Sequence, residues 1–124
     1  MHNRLINQEY LSPSTGHVHS TATDCSRPAI SLVTPCYNEE AVLPELYQRC
    51  TRVLEQVTGG DYELILVNDG STDTTWSLIC GLAQQNPHVI GVDLSRNFGH
   101  QRALTAGLSM ARGNAVMVLS LIHI

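Results

Sequence analysis

Two apolar runs in this chain each end in residues able to do chemistry. Ile30-Ser31-Leu32-Val33-Thr34-Pro35-Cys36 leads into Tyr37, Asn38 and Glu39, and Leu64-Ile65-Leu66-Val67-Asn68 leads into Asp69-Gly70-Ser71. A nucleotide base needs a flat partner and acceptors for its ring N–H groups. Tyr37 supplies the flat partner. An ionised Asp69 is acceptor-only and suits the N–H of uracil or guanine. Glu39 can accept from ribose or sugar hydroxyls, and Asn38 can donate and accept within the turn. Arg96 offers positive charge to a diphosphate. Each residue also has a plain reading: Asn38 and Glu39 as helix caps, Asp69-Gly70 as a turn, Arg96 as a solvated loop charge, His100 as a helix start and Phe98 as packing. The joint placement of Tyr37, Glu39 and Asp69 at successive strand ends favours the binding reading.

Parallel strands must bring these residues together. Residues 30–33 read as a buried strand, with Pro35 stopping its ladder because it has no N–H. A helix follows over 41–57, where Leu43, Leu46, Tyr47, Cys50, Val53, Leu54 and Val57 form an apolar stripe. Pro44 suits its first turn and Gly59-Gly60 ends it. Further strands are predicted at 62–67, 89–94 and 115–119, with helices at 74–85, marked by Trp76, Ile79, Cys80 and Ala83, and at 101–111, marked by Leu104, Leu108 and Ala111. This alternation defines an α/β fold with a mostly parallel sheet. In order of the four predicted strands, the expected sheet order is 3-2-1-4, which opens a switch point beside the first. Neighbouring strands lie about 4.8 Å apart, so Glu39 and Asp69 would share one crevice. Residues 1–28 are polar and patternless and are expected to form a disordered leader; His17 and His19 in it read as solvated rather than metal-binding.

The 124 residues allow one modest domain, and 43 % apolar with 15 % charged residues is ordinary globular composition. A net charge of −4 provides no basic stripe for nucleic acid. The cysteines Cys25, Cys36, Cys50 and Cys80 form no C-x-x-C pair and read as reduced thiols of a cytosolic protein. No apolar run reaches the roughly 18 residues of a membrane span. Neither G-x-G-x-x-G nor G-x-x-x-x-G-K-[ST] is present, which argues against dinucleotide and P-loop chemistry.

Val33-Thr34-Pro35-Cys36-Tyr37-Asn38-Glu39, Val67-Asn68-Asp69-Gly70-Ser71 and Arg96-Asn97-Phe98-Gly99-His100-Gln101 together resemble the family 2 glycosyltransferases. Ala103-Leu104-Thr105-Ala106-Gly107-Leu108 extends the likeness toward the polyprenyl-phosphate branch, relatives of dolichol-phosphate mannose synthase and bactoprenol glucosyltransferase. The resemblance covers residues 29–119. It implies a GT-A, Rossmann-like three-layer sandwich, of which this is the N-terminal half. It also implies that Pro35, Tyr37, Glu39 and Asp69 surround the nucleotide of a UDP- or GDP-sugar, to which Asn38, Arg96 and Asn97 are added as candidate substrate-binding residues, and that the sugar passes with inversion to a polyprenyl phosphate at the cytoplasmic face of a membrane. A phosphate acceptor is already ionised near neutral pH, so positioning and charge stabilisation would carry the reaction.

The family also implies Mg²⁺ or Mn²⁺ held by an Asp-x-Asp motif after the last strand. This chain has Ser120-Leu121-Ile122-His123-Ile124 there, and those ligands are missing. The expectation is therefore an incomplete copy with an atypical tail over 120–124, binding donor but inactive alone. The alternative is a non-catalytic nucleotide-binding module that has lost its metal site.

Overall fold

A computed structural model describes residues 5–8 and 27–120. Five strands, β1 (Leu5–Gln8), β2 (Ile30–Cys36), β3 (Tyr62–Asn68), β4 (Val89–Leu94) and β5 (Ala115–Val118), form one sheet of order β1-β4-β3-β2-β5. Every pairing is parallel. The helices are α1 (Leu43–Thr58), α2 (Thr75–Gln85) and α3 (His100–Met110). The expected α/β class and the order of β4, β3, β2 and β5 are found.

Three expectations change. The stretch 1–28, expected to be a disordered leader, contains β1, which pairs with the outer side of β4 from Leu5↔Gly91 to Gln8↔Leu94. Its four residues are too short a run to register as periodicity, but they satisfy a row of β4 backbone groups. The rest of that leader, with His17 and His19, lies outside the described residues, as do residues 121–124. Pro35 does not end β2, which runs on to Cys36. Pairing with β5 reaches only Val33, so Pro35 lies beyond the doubly paired part of the strand, where a missing N–H is tolerated.

The third change concerns the helices. On one sheet face, Leu43, Cys50 and Leu54 of α1 and Ile79 and Ala83 of α2 bury Leu32, Leu64 and Leu66. Val53 and Val57 of the expected α1 stripe are exposed. On the other face, α3 buries Ala103, Ala106 and Gly107, with Leu104 and Ala111 of the expected face packed against the same core, while Leu108 points to solvent. Small residues sit inside because α3 lies so close to the sheet: a Cβ on Gly107 would come within 2.4 Å of Val33 Cγ1. The result is three layers, with α1 and α2 on one side and α3 on the other.

At the amino end of the sheet, buried Glu63 accepts from Ser31 Oγ at 2.6 Å and from the Arg112 N–H at 2.6 Å. Ser31 Oγ in turn accepts the Gly113 N–H at 2.7 Å. These bonds fix the α3–β5 turn beneath β2 and β3.

Candidate functional site

The carboxyl ends of β2, β3 and β4 carry three loops, and two sets of contacts join them. The first joins the β2–α1 and β3–α2 loops. Cys36 is in register with Asn68, and the Asp69 N–H donates to the Cys36 carbonyl at 2.9 Å. Asn38 adopts left-handed backbone, φ 53°, a conformation its short amide side chain tolerates. Its Oδ1 accepts the Thr72 N–H at 2.8 Å, and its own N–H donates to Ser71 Oγ at 2.9 Å. The Glu39 N–H donates to the buried Thr75 hydroxyl at 2.9 Å. Glu40 accepts the Thr74 N–H at 3.0 Å, while Asp73 accepts from the backbone of Glu40 and of Thr75. Both loops are thereby held at the amino ends of α1 and α2. The hydroxyls of Ser71, Thr72, Thr74 and Thr75 take part in these ties, a role that their sequence spacing does not announce.

The second set joins the β3–α2 and β4–α3 loops. Gly70 is left-handed at φ 70°, and a Cβ there would lie 2.2 Å from the Asn97 N atom. The two backbones touch, which only glycine permits. Asp69 Oδ1 accepts the Phe98 N–H at 2.8 Å. One strand position earlier, the Asn68 amide donates to Asp93 at 2.7 Å. Arg96 lies over the Phe98 ring at 4.5 Å, within cation–π reach. His100, at the start of α3, contacts Ser120 Oγ at 2.9 Å through Nε2, which brings the end of β5 to the same edge.

The expected site residues therefore divide by exposure. Tyr37, 44 % exposed, and Asn38, Arg96 and Asn97 reach solvent. Glu39 and Asp69 are 5 % and 3 % exposed, and Pro35 is buried inside β2. Burial pushes the Asp69 carboxyl above its ordinary 3.8, against the backbone N–H groups of Phe98 and Gly99 and the charge of His100, which pull it down. The Cys36 thiol is pushed up to about 12 by burial, then by the Glu39 carboxylate and Cys50, so it is no nucleophile at neutral pH.

A divalent cation wants several oxygen ligands. Among the described residues, no three His, Cys, Asp or Glu side chains converge to hold one. At the end of β5 stand a hydroxyl and an imidazole engaged with each other. This donor set does not fit the Mg²⁺ or Mn²⁺ that the resemblance implies. Among the described residues, no helix is long and apolar enough to cross a membrane.

The three-layer α/β fold, with loops joined at the carboxyl edge of a parallel sheet, is shared with GT-A glycosyltransferases. Residues 31–120 match the family model described as Glycosyl transferase family 2, and the chain belongs to that family. It is 48 % identical over 89 residues to the uncharacterized glycosyltransferase YkcC of Bacillus subtilis (strain 168), covering 72 % of this chain and 27 % of that protein. It is 41 % identical over 91 residues to an undecaprenyl-phosphate 4-deoxy-4-formamido-L-arabinose transferase of Shewanella sediminis (strain HAW-EB3), with 73 % and 27 % covered. To the prophage bactoprenol glucosyl transferase homolog of Escherichia coli (strain K12) the identity is 42 % over 88 residues, with 71 % and 28 % covered. The chain thus spans little more than a quarter of the length of these relatives.

Among solved structures, the mannosyltransferase PcManGT of Pyrobaculum calidifontis, in complex with GDP-Man and Mn²⁺, superposes with a TM-score of 0.62 at 28 % identity, covering 77 % of this chain and 28 % of that one. S. aureus TarS superposes with a TM-score of 0.64 at 24 % identity, covering 73 % and 26 %, and shares the fold.

Proposed function

We propose that this chain forms the donor-binding part of a glycosyltransferase that moves a sugar from UDP or GDP to a polyprenyl phosphate, and that alone it binds the donor without transferring the sugar. The observation that carries the reading is the meeting of three loops at the carboxyl edge, with Tyr37 exposed on one and Arg96 and Asn97 on another. An aromatic face suits the base, and a guanidinium beside an amide suits the diphosphate. The undecaprenyl-phosphate and bactoprenol names of the relatives support the acceptor class. The complex of PcManGT with GDP-Man supports the donor class.

The donor set at the end of β5 supports the inactivity: among the described residues it offers a hydroxyl and an imidazole rather than carboxylates that would hold a cation against the departing diphosphate. The same observation favours a second reading, a nucleotide-binding module with no catalytic role. Calorimetry with UDP and GDP tests the shared part. Binding weaker than about 1 mM for both would defeat it. Tyr37→Ala is expected to weaken nucleotide binding about tenfold, the scale of one lost base–aromatic stack. Transfer of radiolabelled sugar to undecaprenyl phosphate by this chain would contradict the inactivity.

A further inference from the structure

β5 is held differently from the strands at the centre of the sheet. Among the described residues it pairs with β2 alone, from Ile30↔Ala115 to Val33↔Val118, and all four of its residues are exposed. Apolar burial, which holds β2, β3 and β4, therefore contributes little to it. Its anchors are polar and sit at its two ends. At the amino end, one oxygen of buried Glu63 accepts both the Ser31 hydroxyl and the Arg112 N–H, and Ser31 Oγ accepts the Gly113 N–H. A Cβ on Gly113 would stand 2.6 Å from Ser31 Oγ and 2.7 Å from the Ser31 N atom, so the turn lies directly on β2. At the carboxyl end, the Leu119 N–H donates to the Val33 carbonyl at 2.9 Å, and Ser120 meets His100.

The amino-end clasp is only half satisfied. Glu63 Oε1 is sealed from water and receives no hydrogen bond; Arg112 Nε, on a side chain 54 % exposed, stands 3.8 Å away. Keeping that oxygen dry is costly, and lifting the turn lets water reach it. Opening the buried apolar strands offers no such return.

We propose that residues 112–119, β5 with the turn before it, form a latch that lifts from β2 as one unit while β2, β3 and β4 stay paired, and that Glu63 is its catch. The turn sets β5 in register on β2, so releasing Glu63 releases both. Lifting bares the β2 edge and parts Ser120 from His100 at the carboxyl edge of the sheet. The latch exists whether or not a donor binds.

Native-state hydrogen exchange, followed by NMR on the whole chain in low urea, tests this. The amides of Arg112, Gly113, Asn114, Ala115 and Leu119 are expected to exchange at least about a hundredfold faster than those of β3, with one shared dependence on urea. Exchange at the β3 rate, through global unfolding alone, would overturn the proposal. So would urea slopes that differ from one of these amides to the next, which is fraying and not a unit.

Two substitutions separate a catch from general stability. Glu63→Ala breaks bonds that are lost when the latch lifts, and should speed the latch amides at least about tenfold, the scale of a hydrogen bond to a charged group. Ser31→Ala should act in the same direction and serves if Glu63→Ala does not fold. Ile90→Val thins the core beside α3, two strands away from β5, where contacts survive lifting. It should speed β3 amides about fivefold and leave the latch amides within about twofold. Latch amides unmoved by the loss of Glu63 or Ser31, or moved by Ile90→Val as far as those of β3, would refute the latch.

Discussion

Asn38 shows how one residue can be backbone and glue at once. Its left-handed φ of 53° turns the chain at the end of β2, and its side chain ties that turn to Thr72. The two contributions separate by substitution. Asn38→Gly removes the hydrogen bonds but relieves the backbone, and should cost about 1 kcal/mol in equilibrium urea unfolding. Asn38→Ala removes the bonds and keeps a Cβ in left-handed geometry, and should cost about 2 kcal/mol or more. Equal losses would mean that the backbone is not strained there. Asp69 gives a pH signature of unusual sign. Its folded-state carboxyl titrates above the ordinary 3.8, so between those two values the folded chain holds more of the proton. Stability from this group therefore rises as pH falls through that window and is lost as pH rises through the raised value. Urea midpoints across pH should show the wild type gaining on Asp69→Asn as the solution is acidified; a gain in the opposite direction would contradict the shift. The types and spacing of Tyr37, Asn38, Asp69 and Arg96 were legible because strand ends announce themselves by composition. Their depth was not. Nothing in Val67-Asn68-Asp69-Gly70 says that Gly70 meets the backbone of Asn97, a contact 27 residues away in the chain that only the fold creates.

Elements were legible where periodicity is strong and misread where distance between layers decides. All three helices and four of the strands follow from alternation of apolar runs with turn residues. On α3, apolar size as the mark of the inside holds for Leu104, which packs against the core as Ala111 does, but fails for Leu108. Close approach reverses that rule: Ala103, Ala106 and Gly107 face the sheet, and the larger Leu108 is left outside. Glu63 escaped for a related reason. A carboxylate in an apolar strand reads as a solvent-facing residue unless its partners, Ser31 and the Arg112 N–H, are known. The packing of α3 makes a prediction whose sign has to be worked out. Gly107→Ala gains helix propensity of about 1 kcal/mol. Against this, its Cβ would stand 2.4 Å from Val33 Cγ1 and 2.9 Å from Val67 Cγ2, both fully buried and unable to withdraw. Overpacking of this kind costs about 1–3 kcal/mol, and contact this short belongs at the upper end, so a net loss is expected in thermal and urea unfolding. Val33→Ala should partly rescue Gly107→Ala, with the double variant losing less than the two single losses combined.

For the whole molecule, the two sides of the sheet end differently. On one side the outer edge of β4 is paired with β1. On the other, β5 pairs with β2 and has no further strand among the described residues. Ala115-Val116-Met117-Val118-Leu119 has no charge and no proline, and Val116, Met117 and Val118 are all exposed. Such an edge invites another copy to add a strand. Magnitudes set how strong that would be. Three roughly half-exposed apolar side chains offer about 1 kcal/mol each on burial, against an association cost of at least about 4 kcal/mol. Strand hydrogen bonds add a little. The net charge of −4 opposes contact, but only within a Debye length of about 8 Å at physiological salt. The balance is weak association that grows with concentration, not a stable dimer. Light scattering should show the mean mass rising as the protein is concentrated. Met117→Lys places a charge on a side chain already 51 % exposed, so it should suppress that rise with little change in unfolding midpoint. A wild-type chain that stays monomeric at the highest concentration reached, or a lysine variant that associates as before, would place the sticky surface somewhere other than β5.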